Sequence, residues 1–180
     1  AVAPLPSMKL GHLEVSRLIV GGNPFRGYSH LTAELDKEMA SYHTRDQIVE
    51  TLFASQAAGM TAMVMRADAI IYAAVDAYYE RGGTMRWIAQ TASENRDVPG
   101  NIREAKSHGA SAVYFHGTRA DHLYQAGEIA VVRDYLKVAR DLGLAVGIAA
   151  HLPEVHYLVA DQGWDLDFHM CCFYNLGKIA

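Results

Sequence analysis

The chain has few of the features that mark disulfide-rich, membrane-spanning or nucleic-acid-binding proteins. Its 180 residues include only two cysteines, Cys171 and Cys172. They are adjacent, and neighbouring residues of a strand point to opposite faces, so they cannot build a disulfide framework. No apolar run reaches the roughly 18 residues that a membrane-spanning helix needs. The formal net charge is −4 without a cluster of lysine or arginine, so we expect neither nucleic acid nor a membrane as a partner.

What is present suffices for one globular domain. Hydrophobic residues make up 51% of the chain and charged residues 20%, which allows a sizeable core. Residues 1–7 begin without methionine and resemble a trimmed leader or a disordered remnant, so we expect a single domain over residues 8–180. The scarcity of cysteine favours a cytoplasmic protein. The alanine- and proline-rich start leaves an exported form as the alternative.

One arrangement, a glycine followed within a few residues by an apolar run, occurs five times. A glycine just past a helix adopts the left-handed conformation and directs the chain into a strand. The first strand is predicted at 17–23, after a hairpin in residues 8–16 that would close one end of the sheet. The five glycines are Gly59, Gly83, Gly109, Gly143 and Gly163, and the runs are 61–66, 84–90, 110–117, 144–151 and 166–175.

Apolar strands that alternate with helices predict a parallel sheet with helical cover. Six units over this length give about 30 residues each, close to the unit size of a TIM (β/α)8-type barrel. We therefore predict an α/β barrel with six βα units visible and the last two absent or supplied by a partner subunit in a homo-oligomer. The alternative is an open parallel α/β sheet of the doubly wound kind, which needs no further strands.

Polar side chains stand at the carboxyl ends of the predicted strands, where ligands bind in parallel α/β proteins. His116 and His151 are candidate acids or bases, because imidazole exchanges protons near neutral pH. Arg66 would anchor a carboxylate or phosphate of a small-molecule substrate, or pair instead with Asp68, itself a candidate catalytic residue. The remaining candidates would orient substrate or connect loops: Asn23, Gln90, Tyr174 and Asn175.

A metal site is the alternative chemistry at this edge. His116, His151 and Cys171 come from three consecutive predicted strands and would give a divalent metal such as zinc three ligands, with a fourth position open. No His-x-His, His-Glu-x-x-His or Cys-x-x-Cys pattern strengthens this hypothesis.

Three motifs resemble those of the aldo-keto reductases. They are MKLGHLEVSRLIVGG at 8–22, VYFHG at 113–117 and FYNL at 173–176. The resemblance implies a TIM barrel, bound NADP(H), and hydride transfer to a carbonyl assisted by an Asp, a Tyr, a Lys and a His. Of these four, only the histidine has a counterpart, His116. Met65, Ile70 and Gln90 occupy the positions of the other three.

We therefore predict a divergent aldo-keto reductase-like oxidoreductase acting on a small polar carbonyl or sugar-like substrate. His116 would donate a proton and Arg66 would bind an anionic group, while Gln90 and Asn23 orient the substrate. Two alternatives stay open. One is a lyase, isomerase or hydrolase that depends on the two histidines or on a metal, and the other is a non-catalytic ligand-binding barrel.

Overall fold

Glycines in the left-handed conformation end most of the helices. In the computed structural model, which describes residues 5–172, Gly59, Gly109, Gly143 and Gly163 have φ angles between 60° and 96°, as predicted. The second predicted stop, Gly83, lies one residue later than the observed one, Gly82, whose φ is 87°. The sequence contains two adjacent glycines at that point, and the first one takes the strained conformation.

Eight strands and seven α-helices occupy residues 5–172, with a short 3-10 helix at Pro24–Arg26. The strands are β1 Ser7–Leu10, β2 Leu13–Ser16, β3 Val20–Gly21, β4 Ala62–Arg66, β5 Arg86–Gln90, β6 Ala110–Phe115, β7 Ala145–Ala150 and β8 Phe168–Cys171. The helices are α1 Ala33–Tyr42, α2 Arg45–Ala57, α3 Ala69–Glu80, α4 Val98–Ser107, α5 Gly117–Gln125, α6 Ala130–Asp141 and α7 Pro153–Asp161. None of these helices is long and apolar enough to cross a membrane.

The main sheet is parallel and its strands follow one another in chain order, β3-β4-β5-β6-β7-β8. A doubly wound sheet requires the strand order to reverse at a switch point, and this order never reverses. The sheet curls into half of a barrel, and within residues 5–172 β3 and β8 each pair with one neighbour only. The described chain is therefore an open parallel α/β sheet wound in one direction, with the six predicted parallel strands present and no closed barrel within residues 5–172.

The two faces of this sheet carry side chains of different size. The outer face packs against helices α2 to α7 through large buried residues such as Met63, Trp87 and Phe115. The cluster on the inner face contains no helix residue among those described, and its buried strand residues are mostly small, including Ala112 and Ala145. Curling brings inner side chains together, so small residues fit where large ones would collide.

The predicted hairpin is present and covers the amino-terminal end of the sheet. β1 and β2 pair antiparallel, and Leu10 and Val15 are buried in the inner cluster beside Ala62 at the start of β4. Ser16 and Thr61 exchange hydrogen bonds of 2.7 and 2.9 Å between the hairpin and the approach to β4. The inner face is therefore packed at this end of the half-barrel, whereas the carboxyl end holds an open cavity.

Candidate functional site

Every second residue of a strand faces inward, and this pattern continues to the carboxyl ends of the strands. Two residues beyond Val64 comes Arg66, two beyond Ile88 comes Gln90, and two beyond Tyr114 comes His116. In β7 the same spacing leads from Ala149 to His151. Side chains two apart share a face, so these four polar residues, from four neighbouring strands, converge inside the curl.

They line one open cavity of about 660 Å³, here called the mouth cavity. Asn23, Gly117 and Cys172 also line it, together with residues from the segment after β3. Among its described lining residues are two arginines and three histidines, but no aspartate or glutamate. The cavity therefore suits a small molecule with a negative or electron-rich oxygen.

His116 stands at the junction of β6 and α5 and is largely buried. Its backbone N–H donates to Thr91 Oγ1 at 3.0 Å, which fixes the chain where the strand becomes helix. Its ring Nδ1 is buried and has no hydrogen-bond partner within residues 5–172. Burial, followed by the positive charge of Arg66 and the proximity of His151, lowers the pKa of His116 to about 4. The imidazole is therefore neutral at physiological pH.

His151 is held by a carboxylate that sequence reasoning missed. Asp121 of α5 is buried, and its Oδ2 lies 2.6 Å from His151 Nδ1. The backbone N–H groups of His151 and Leu152 also donate to this carboxylate, at 3.1 Å each. An ionised carboxylate can only accept, so Nδ1 carries the proton and Nε2 is the nitrogen left for proton transfer. This is the arrangement of an oriented general base.

A signal for Asp121 does exist in the sequence. The buried positions of α5 are Gly117, Ala120 and Asp121, which have the i, i+3, i+4 spacing of a helix face that packs against a sheet. A carboxylate on such a face needs a hydrogen-bonding partner. The partner could not be named from the sequence because it comes from the next strand, 30 residues later.

Arg66 and Asp68 lie together, but Asp68 has a structural role. Asp68 Oδ1 accepts from the backbone N–H of Ile71 and so caps α3. Its Oδ2 lies 2.8 Å from Arg26 Nε and 3.2 Å from Arg66 Nε. The predicted alternative, in which Arg66 pairs with Asp68, is thus present. Asp68 itself is absent from the cavity lining, so we no longer place it among the groups that meet substrate.

The remaining predicted residues differ in their placement. Gln90 lines the mouth cavity, and its side chain has no hydrogen-bond partner within the described chain. Asn23 also lines it, with Nδ2 3.1 Å from His30 Nε2, so it connects the loop after β3 at the same time. Tyr174 and Asn175 lie outside the described residues.

The structure does not bring the three predicted metal ligands together. Phe168 and Met170 of β8 belong to the inner cluster, so alternation turns Cys171 to the outer face, away from His116 and His151. Within residues 5–172, no group of three or more His, Cys, Asp or Glu side chains is placed to hold a metal. The residue of β8 that does line the cavity is Met170, and Cys172, just beyond the strand, lines it as well.

The described residues do not fit the cofactor chemistry that the family resemblance implies. Met65 has no ionisable group, and Ile70 is 47% exposed on α3. The nearest tyrosine, Tyr72, is buried in the helix-facing core, where its hydroxyl accepts from Asn101 Nδ2 at 2.9 Å. Burial, reinforced by Glu104, raises the pKa of Tyr72 well above its usual range, so its phenol is a poor acid. We derive no step through NADP(H).

In comparisons with known proteins, no family model matches the chain and no curated protein is a significant match. The resemblance to aldo-keto reductases therefore stays a prediction from three motifs, and the functional inference depends on the geometry of the mouth cavity.

Proposed function

We propose that the protein is an enzyme of the isomerase or lyase type, which moves a proton next to the carbonyl group of a small polar or sugar-like substrate. One observation carries this proposal: two histidines in different surroundings line the same cavity. His151 is oriented by Asp121 at 2.6 Å, and His116 is neutral and buried. Paired groups whose surroundings differ are typical of acid–base catalysis.

The two histidines would divide the reaction between them. His151 Nε2 takes a proton from the carbon beside the carbonyl, and the Asp121 carboxylate stabilises the resulting imidazolium. The electron pair moves onto the carbonyl oxygen, where neutral His116 donates a hydrogen bond to the enolate. In an isomerase, the hydroxyl on the deprotonated carbon gives its proton to the enolate oxygen and becomes the new carbonyl, while His151 returns its proton to the former carbonyl carbon. In a lyase, the enolate expels a leaving group from the next carbon, and that group takes the proton from His151.

Carbon–hydrogen exchange tests this proposal. The full chain is incubated in D2O with small 2-oxo acids, hydroxyketones and aldoses, and loss of the proton signal beside the carbonyl is followed by NMR. We expect H116Q and H151Q each to lower the exchange rate about 10²- to 10⁴-fold. H169Q is the matched control, because His169 lies on the exposed outer side of β8. Exchange that survives in both mouth variants would refute the proposal.

The reductase and binding-protein alternatives predict different experimental results. The position of His116 in the mouth cavity favours the reductase, since this is the one catalytic residue that the family motif and the chain share. A reductase must quench NADPH fluorescence and oxidise NADPH with a carbonyl substrate. A non-catalytic binding barrel must bind a ligand without exchange or reduction, and H116A must leave that binding unchanged.

We also propose that the six parallel strands are units of a (β/α)8 barrel completed by further strands. Sequential strand order, helices on one face and a hairpin beneath the inner face support this proposal. The missing strands would come from additional polypeptide or from a partner subunit. The native protein's intact mass, measured beside its mass in solution, distinguishes these sources. A monomer of this length with a stable fold would exclude both.

A further inference from the structure

Two arginines at the mouth cavity share one buried carboxylate. Arg26 and Arg66 both pair with Asp68 Oδ2, at 2.8 and 3.2 Å. The exposed fractions of Arg66 and Asp68 are 9% and 12%, so both are largely withdrawn from water. Asp68 carries a single negative charge, and its other oxygen caps α3. The three-residue cluster therefore has a net charge of about +1 next to the cavity.

An exposed side chain supplies the balancing charge. Glu94 lies in the loop between β5 and α4, and its carboxylate pairs with Arg66 Nη2 although the Glu94 side chain is 68% exposed. Ser93 bridges the two: its hydroxyl accepts from Arg66 Nη1 and donates to Glu94 Oε2, each at 3.3 Å. A buried guanidinium requires an anionic partner, whereas an exposed glutamate gains little from the pair.

From this asymmetry we propose that Glu94 occupies the place of a substrate carboxylate on Arg66, and that a small monoanionic carboxylate displaces it on binding. The planar guanidinium fork matches a carboxylate, and one negative charge balances the cluster once Glu94 has left. No aspartate or glutamate lines the described cavity to repel the ligand. Within the proposed function, this identifies the substrate as a carboxylate-bearing carbonyl compound, such as a small 2-oxo acid.

Displacement also couples binding to the proton chemistry. The charge of Arg66 is one cause of the lowered pKa of His116. His116 lines the cavity and Glu94 does not, so a ligand carboxylate inside the cavity would act on that imidazole and offset the charge of the arginine. Ligand binding would thus raise the pKa of His116, so that its imidazole holds a proton more readily when the enolate forms.

The test measures binding without turnover, with pyruvate as the probe and the full chain titrated by calorimetry. Removing the competing charge in E94Q is expected to tighten pyruvate binding about 2- to 5-fold, the range for an exposed ion pair. R66K retains charge but loses the fork and is expected to weaken binding at least about 10-fold. E50Q is the matched control, because Glu50 is 66% exposed and pairs with Arg81 on the protein's outer side.

Each outcome decides the proposal. Tightening in E94Q, none in E50Q and loss of binding to methyl pyruvate, which lacks the charge, would support it. Unchanged or weaker binding in E94Q, equal tightening in E50Q, or no pyruvate binding to wild type and E94Q would overturn it, as would phosphate binding more tightly than pyruvate. If E94Q behaves as expected but H116Q and H151Q leave exchange intact, the carboxylate site stands and the proposed reaction fails.

Discussion

The two ends of the same strands differ in what their inward side chains do. At the amino end, Ala62, Ala112 and Ala145 are small and lie beneath Leu10 and Val15 of the hairpin. At the carboxyl end, the same inward positions hold arginine, glutamine and two histidines around an open cavity. The backbone register is common to both ends, so side-chain type alone decides whether a layer packs or remains available for chemistry.

This contrast predicts that stability and activity separate along the strands. Filling the inner layer with apolar groups removes surface from water and stabilises the fold. Leaving polar groups around a cavity forgoes that stabilisation but keeps hydrogen-bonding atoms accessible to a ligand. Substitutions at the packed end should therefore lower stability, and substitutions at the open end should lower activity. The predictions below compare the two ends in order of decreasing effect on stability.

The largest effect is expected at the packed end. L10A removes a side chain that is 6% exposed and leaves a void between the hairpin and the sheet. We expect the free energy of unfolding to fall by about 2–4 kcal/mol in urea denaturation, since relaxation fills such voids only in part. Q90A, at the open end of β5, should cost under about 1 kcal/mol. A larger loss in Q90A than in L10A would reverse the comparison.

Asp121 should contribute to both properties. In D121N, one oxygen still accepts, but the new NH2 group faces N–H donors of His151 and Leu152. We expect a loss of about 1–3 kcal/mol in unfolding free energy, and exchange activity lower by at least about 10²-fold because the His151 tautomer is no longer fixed.

The other carboxylate–histidine pair provides the control for D121N. Asp76 lies 2.8 Å from His108 Nδ1 on the helical side of the molecule, and its side chain is 44% exposed. D76N should destabilise the protein less than D121N and leave exchange unchanged. If D76N lowers exchange as much as D121N does, the loss reflects general destabilisation and not orientation of His151.

Acid should destabilise the folded protein through His116, which lies at the open end of the strands. The folded pKa is about 4 and the ordinary value is 6.5, so the unfolded chain binds a proton in this range while the folded chain does not. The effect of His116 on the free energy of unfolding is therefore absent above about pH 6.5, and it lowers that free energy as the pH falls towards 4. The shift sets a ceiling of about 3 kcal/mol, which solvent at the cavity reduces to about 1–2 kcal/mol.

The variant H116Q isolates this effect from other groups. His43 and His169 also have pKa values lowered by burial, but both remain in wild type and variant alike. Urea denaturation at several pH values should give a shallower decline between pH 6.5 and 4 in H116Q. Parallel curves for the two proteins would show that His116 does not carry the proton linkage.

The sequence predicted repeated, local features well and long-range pairings poorly. Glycine stops, apolar runs and polar strand ends depend on a few consecutive residues, and they located the parallel sheet, the hairpin and the mouth residues Arg66, Gln90, His116 and His151. The bond from Asp121 to His151 joins a helix to the following strand, and no local pattern specifies it. Cys171 was misplaced because the strand's inward parity depends on where Phe168 packs.

The smallest effect on stability, and the sharpest separation from activity, is expected at Gly117. A Cβ at this residue would lie 3.3 Å from His151 Cε1 and 3.5 Å from Ala149 Cβ, so the imidazole must move by a few tenths of an ångström. The residue begins α5 without a left-handed φ, so alanine introduces no backbone strain there. G117A should change the unfolding free energy by under about 0.5 kcal/mol yet slow exchange several-fold, because proton transfer depends steeply on position.

Gly127, just beyond the other end of α5, should respond in the opposite way. Its φ is 73°, and a Cβ there would meet nothing within 4 Å. G127A should therefore lose about 1 kcal/mol through backbone strain alone and exchange at the wild-type rate. One helix would then carry a glycine required for activity at its start and a glycine required for stability beyond its end. Normal exchange in G117A would mean that the His151 ring tolerates displacement, and the requirement for an oriented base would fail with it.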